Sequence, residues 1–206
     1  MLLFLITKGF DIMKNLRKWI ACAMFSAIAV ILMFFFEFAL PFLPPYLKVD
    51  FGELPALISA FVLGPWWGVL VCLIKNLVCL TTTGTAGVGE LANFIIGALF
   101  VFPAGYIYNK KKTKSVAVLG CFAGIILSSI ISFFVNYYIT YPFYSAVMIP
   151  YDVIIGMYSA ICPWANTLVK GLLVFNLPLT FVKGIIISLV TILVYKKISP
   201  VVKGKY

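Results

Sequence analysis

The side chain with the clearest chemical signature is Lys183. It lies deep in the last apolar run of the chain, about residues 171–195, with Thr180 three residues before it and Asn176 four before that. On a helix these three share one face, about a turn apart. They form a polar stripe among Leu, Val, Ile and Phe. A lysine deep in hydrocarbon costs at least about 2.5–3.5 kcal/mol on insertion scales. Snorkelling would have to bridge roughly 18 Å of helix before Lys196. An ammonium facing a polar cavity is the better account, and such a stripe would donate hydrogen bonds to the carbonyl and hydroxyl groups of a ligand.

Other polar residues interrupt other apolar runs. Lys75 and Asn76 lie in one, open either to pairing with an acid or to lining the cavity. Glu90 and Asn93 open another, where an acid in the first helical turn favours the dipole. Asn136 stands near the end of a third, before Tyr137 and Tyr138, as a site residue or a helix cap. Asp50 and Glu53 are expected to hold the 41–52 segment through Lys48 or Lys170. Segment 81–88, Thr-Thr-Thr-Gly-Thr-Ala-Gly-Val, is small and polar, so its backbone can approach a ligand closely. With abundant Tyr, Trp and Phe, the set suits a planar, mostly apolar ligand bearing carbonyls and hydroxyls.

The missing chemistry is equally informative. There is no His, so no imidazole can bind a metal or shuttle protons. The five cysteines form no CxxC pair and read as small buried hydrophobes rather than disulfide or metal ligands. No Gly-Lys-Ser/Thr phosphate loop is present, so the chain cannot hydrolyse ATP. An intramembrane lipid-modifying enzyme needs an acid–base pair at depth, and only Glu37 lies well within a span.

The elements that must position these residues are membrane spans. A mean hydropathy of +1.12 and 11% charged residues are too apolar for an ordinary soluble domain. The net charge of +10 brackets apolar segments instead of covering one face, which argues against nucleic acid. Twelve of the sixteen Lys and Arg fall in three clusters: Lys8, Lys14, Arg17 and Lys18; Lys110, Lys111, Lys112 and Lys114; Lys196, Lys197, Lys203 and Lys205. Cytoplasmic loops carry such an excess. The spacing predicts an all-α membrane protein with spans near 19–40, 53–63, 66–80, 89–108, 116–139 and 171–195. The break at Gly64-Pro65 makes two short spans of one long run, since four crossings are needed to return the second basic cluster to the cytoplasm. Both termini are then cytoplasmic: a segment 1–18, a six-helix domain 19–195 and a basic tail 196–206. Residues 1–12 precede a second start, Met13, and could be an upstream start-site choice. The outside face holds 41–52, 81–88 and a long 140–170 segment, expected to be a lid or interfacial helix. Ala23 and Ala27, four apart in the first span, permit close approach of another helix, whether of a partner or of this chain.

An ordered set of motifs runs through nearly the whole chain from about residue 14. It comprises Tyr46-Leu-Lys-Val-Asp-Phe-Gly-Glu-Leu-Pro-Ala56, Gly64-Pro65, Lys75-Asn76, Gly87-Val-Gly-Glu-Leu-Ala-Asn93, Asn136-Tyr137 and Asn176-Leu-Pro-Leu-Thr-Phe-Val-Lys-Gly184. This set closely resembles the RibU family, the riboflavin-binding S components of energy-coupling factor (ECF) transporters. The resemblance implies a six-helix S-component fold in a bacterial cytoplasmic membrane, with a vitamin pocket open to the outside. It implies that Asn136, Thr180 and Lys183 hydrogen-bond the flavin or its ribityl chain, with Asn176 and Tyr137 beside them. Family members often carry Asn where this chain has Thr180. Backbone around Thr85, Ala86 and Gly87 matches the family's second binding loop. The ring is expected among aromatics such as Tyr137, Tyr141, Phe143 and Trp164, with an interfacial aromatic belt as the alternative for them. Ala23 and Ala27 match the motif that docks on the transmembrane coupling subunit, with Ile31 where a third alanine is expected. Two separate ATPase subunits would supply the energy. Riboflavin would be the transported ligand, not a cofactor; an S component for a different vitamin is the alternative.

Overall fold

The computed structural model describes residues 2–40, 43–44 and 47–203. Met1, Pro41, Phe42, Pro45 and Tyr46 of the first two segments, and Gly204, Lys205 and Tyr206 of the basic tail, lie outside the described residues.

Helix α1 runs from Leu2 to Phe35, so it starts well before Trp19. Its stretch Asn15–Phe35 is long and apolar enough to cross a membrane. Two antiparallel two-residue strands follow, β1 (Phe38–Ala39) and β2 (Lys48–Val49), with Phe38 opposite Val49 and Ala39 opposite Lys48. They return the chain to the bundle at Asp50.

Helices α2 (Glu53–Val62) and α3 (Pro65–Cys79) meet at the expected break. Gly64 takes φ 127°, where a Cβ is not tolerated. Pro65 then occupies the first helical position, where its missing N–H breaks no ladder bond. The ten residues of α2 span only about 15 Å, half the hydrocarbon thickness. The rest of the bundle shields it: Ala56, Leu57 and Ala60 are completely buried. Among the described residues, five helical segments are long and apolar enough to span by themselves; α2 is not one of them.

Helix α4 (Val88–Lys110) packs along α5 (Lys114–Val135) through glycine. A Cβ at Gly120 would lie 2.7 Å from the Ala104 carbonyl oxygen, and one at Gly124 would collide with that of Phe100. Small residues are what let helix backbones approach closely in lipid. The turn between them ends at Thr113, whose hydroxyl caps α5 by accepting from the Val116 N–H.

The 140–170 segment, expected to be a lid or interfacial helix, is mostly helical. Helix α5 continues through a π-turn, Asn136–Thr140, into α6 (Tyr141–Val147). Then come α7 (Tyr151–Ile161), the one-turn α8 (Leu168–Gly171), a second π-turn at Leu172–Asn176, and α9 (Leu177–Lys203). The physical reason is aromatic burial: Tyr141, Tyr144, Tyr158 and Phe175 build a core of their own with Ile154, Leu168 and Leu172. A larger apolar core, with Phe61, Tyr108 and Tyr195 in mutual ring contact, joins α1 to α5 and α9.

Candidate functional site

A cavity of about 720 Å³ lies where α1, the β2 end, α4, α5, α6 and α9 converge. That volume is in the range of small organic ligands. The polar stripe anticipated on the last helix faces it. Asn176, Thr180 and Lys183 all line the cavity, as does Asn136 from the end of α5. The Thr180 hydroxyl donates to the Asn176 carbonyl at 2.9 Å and therefore accepts from Ser132 Oγ at 3.0 Å. Asn136 Nδ2 donates to the Ser132 carbonyl oxygen at 2.8 Å. The two walls are thus stitched together by hydroxyls and amides. Both asparagines sit in π-turns, Asn136 at the start of one and Asn176 at the end of the other. A π-turn inserts a residue into a helix and frequently marks a functional site.

Lys183 is not a lone cation. Its ammonium lies 2.8 Å from Asp50 Oδ2 and 2.7 Å from Glu53 Oε2. The Asp50 contact is an aligned hydrogen bond, while the Glu53 contact is an ion contact without that alignment. Lys75 binds the same acids from behind, at 2.7 Å from Glu53 Oε1 and 3.5 Å from Asp50 Oδ1. Burial alone would raise the Asp50 carboxyl, but Lys183 and then Lys75 outweigh it and hold the group well below the usual carboxylate range. The expected pairing of Asp50 and Glu53 with Lys48 or Lys170 is therefore corrected. Lys48 pairs with Glu37 at 3.0 Å, and Lys170 donates to Asn166 and sits over the Trp164 ring.

A second polar knot closes another side. Asn176 Oδ1 accepts from the Tyr158 hydroxyl at 2.8 Å, Asn176 Nδ2 donates to Tyr141 at 3.2 Å, and the two phenols touch each other. The 81–88 segment is ordered by Glu90, whose Oε2 accepts from the hydroxyls of Thr83 and Thr85 at 2.8 and 2.7 Å. Ala86 (φ 51°) and Gly87 (φ 87°) turn the chain there through the left-handed region. An alanine rarely adopts it.

The family model described as "ECF transporter, substrate-specific component" matches residues 17–195. This chain belongs to that family. The substrate-specific component is 37% identical to the riboflavin transporter RibU of Staphylococcus aureus (strain TCH60), over 93% of this chain and 95% of that protein. It is 35% identical to the riboflavin transporter FmnP of Bacillus subtilis (strain 168), over 90% of this chain and 94% of that one. A solved structure, described as the S component of a bacterial ECF transporter, superposes with a TM-score of 0.71 at 35% identity. The match covers 92% of this chain and 99% of that one.

In this substrate-specific component, five of the eight candidate ligand residues line the cavity: Thr85, Asn136, Asn176, Thr180 and Lys183. Ala86 and Gly87 shape the loop that presents Thr85. Tyr137 packs into the tyrosine-rich core, stacking on Phe133. Of the suggested ring contacts, Tyr141 lines the cavity, Phe143 like Tyr137 packs against that core, and Trp164 is exposed. Ala23 and Ala27 lie on an exposed face of α1, beside Met24, Ile28 and Ile31, while Ala21, Cys22, Phe25 and Ala29 face the bundle. The pair is thus not an internal helix contact. Lys75 takes the acid-pairing option of the two left open, but sequence reasoning missed that Asp50 and Glu53 join it to Lys183. The available signal was arithmetic: of the four lysines outside the basic clusters, two are set within apolar runs, and two acids stand close together at 50 and 53.

Proposed function

We propose that this chain captures riboflavin for an ECF-type vitamin uptake transporter. The observation that carries the proposal is the composition of the cavity. The Lys183 ammonium, the Thr180 hydroxyl and the Asn136 amide line it beside apolar and aromatic side chains such as Phe100, Leu179, Ile187 and Tyr141, with Thr85 and Asn93 adding further polar groups. Riboflavin has a matching layout: a planar ring system with a polar carbonyl edge and a polyhydroxyl tail. Full-length relatives at 35–37% identity carry the name riboflavin transporter, which supports the same substrate. Thr85, Ala86 and Gly87 would close over the ligand from the 81–88 side, with Asn176 and Tyr137 supporting the pocket wall.

The protein would sit in a bacterial cytoplasmic membrane with six crossings, α2 being the short shielded one. Both termini and the Lys110–Lys114 turn would then face the cytoplasm, in keeping with their positive charge. The exposed Ala23–Ala27 face of α1 would dock on the ECF transmembrane coupling subunit, and two ATPase subunits would drive uptake.

Titration of the detergent-purified protein with riboflavin, followed by flavin fluorescence, tests the proposal. Saturable binding that excess thiamine or biotin does not displace is expected. Tight binding of thiamine or biotin with indifference to riboflavin would replace the substrate; no vitamin bound at all would end the capture role.

A further inference from the structure

Asp50, Glu53, Lys75 and Lys183 form a closed ring of alternating charge. Asp50 gives Oδ1 to Lys75 and Oδ2 to Lys183; Glu53 gives Oε1 to Lys75 and Oε2 to Lys183. The four side chains come from the β2 exit, α2, α3 and α9. Their exposures are graded: Lys75 0%, Glu53 4%, Asp50 7% and Lys183 18%. Lys183 is the most open member; Lys183, Asp50 and Glu53 line the cavity, while Lys75 does not.

We infer that Asp50, Glu53 and Lys75 are positioning residues for the ligand, acting through Lys183. This inference rests on the riboflavin reading above. An ammonium has three N–H donors and no acceptor. Asp50 takes one of its directions through an aligned hydrogen bond, Glu53 balances its charge by a close ion contact, and donor capacity remains for the cavity. A lysine on a flexible four-carbon stem otherwise surrenders side-chain entropy when it meets a ligand. Here the ring has already fixed it. The ring is also neutral, two cations against two anions, so Lys183 offers a directed hydrogen bond and no net attraction for an anion. It therefore suits an uncharged carbonyl or ring-nitrogen acceptor. The backbone is shaped around this arrangement: a Cβ on Gly52 would lie 2.6 Å from Lys75 Cδ and 3.0 Å from Asp50 Oδ1. A purely stabilising role explains the ring less well, because buried ion pairs are often replaceable by apolar residues with no loss of stability.

A double-mutant cycle on riboflavin affinity tests this in the full-length, detergent-purified chain. Asp50→Asn is expected to weaken binding about tenfold when Lys183 is present and less than about twofold in the Lys183→Met background. A loss of the same size in both backgrounds would overturn the inference, since an effect that persists without Lys183 does not act through it. A spectral readout accompanies it: the visible absorption band of bound flavin in Asp50→Asn should move towards that of Lys183→Met. If Asp50→Asn is not monodisperse on size exclusion, Glu53→Gln runs the same cycle with the same two outcomes. Wild-type protein that binds no riboflavin would sink the functional reading itself, and this inference with it. Wild-type binding with an additive cycle would sink the positioning role alone.

Discussion

Two polar regions border the same cavity and are built on different principles. The ring around Lys183 uses full charges, each matched by two partners of opposite sign. The knot around Asn176 uses neutral phenols and an amide. A hydroxyl both donates and accepts, so the knot can re-pair when one member is lost. A buried charge has no such freedom, and removing its partner leaves an uncompensated ion in a medium of low dielectric. The charged region should therefore fail by stoichiometry and the neutral one by degrees.

The largest expected effect is that of Lys75→Met. It leaves two buried carboxylates sharing Lys183 and should destabilise the detergent-solubilised protein by about 3–5 kcal/mol, measured by equilibrium unfolding. Adding Glu53→Gln to Lys75→Met restores charge balance and should recover more than half of that loss. If the double variant is instead worse than the single, charge matching is not what holds the ring.

Acid should act on the same region alone. Asp50 is held below the ordinary carboxylate value, so its ionised form is favoured in the native state. Its contribution is then complete above about pH 4 and disappears as pH falls through the depressed value. Thermal midpoints should stay level from neutral pH down to about 5 and drop below about 4, and Asp50→Asn should flatten the drop. A midpoint already falling near pH 6 would assign the sensitivity elsewhere. The smallest change is expected from Tyr158→Phe. It removes one donor to Asn176 Oδ1, with Tyr141 3.4 Å away to replace it, for a loss of about 1 kcal/mol. A loss as large as that of Lys75→Met would erase the contrast between the two regions.

What could be read beforehand followed from local rules. The stripe of Asn176, Thr180 and Lys183 was visible because polar residues at helical spacing stand out in an apolar run. The break at Gly64-Pro65 was visible because both residues act on their own backbone. The partners of Lys183 were not visible, because Asp50 lies 133 residues away and no spacing rule links them. The π-turns left no mark either, since an extra residue in a helical turn changes hydrogen bonding and not composition. In the 140–170 segment the aromatics pointed to a lid or interfacial helix, and the prolines do not oppose helix: Pro142 sits in the first turn of α6, where it is tolerated, and Pro150 precedes α7.

The position of Lys183 in the chain bears on how the protein is made. By the time the ribosome reaches α9, the earlier part of the nascent protein already contains Asp50, Glu53 and Lys75, a trio with one negative charge too many. The final helix brings the missing cation. Until it docks, the half-built bundle carries an excess carboxylate and the last helix an unpaired ammonium; their union relieves both, so the charges balance only when the final helix arrives.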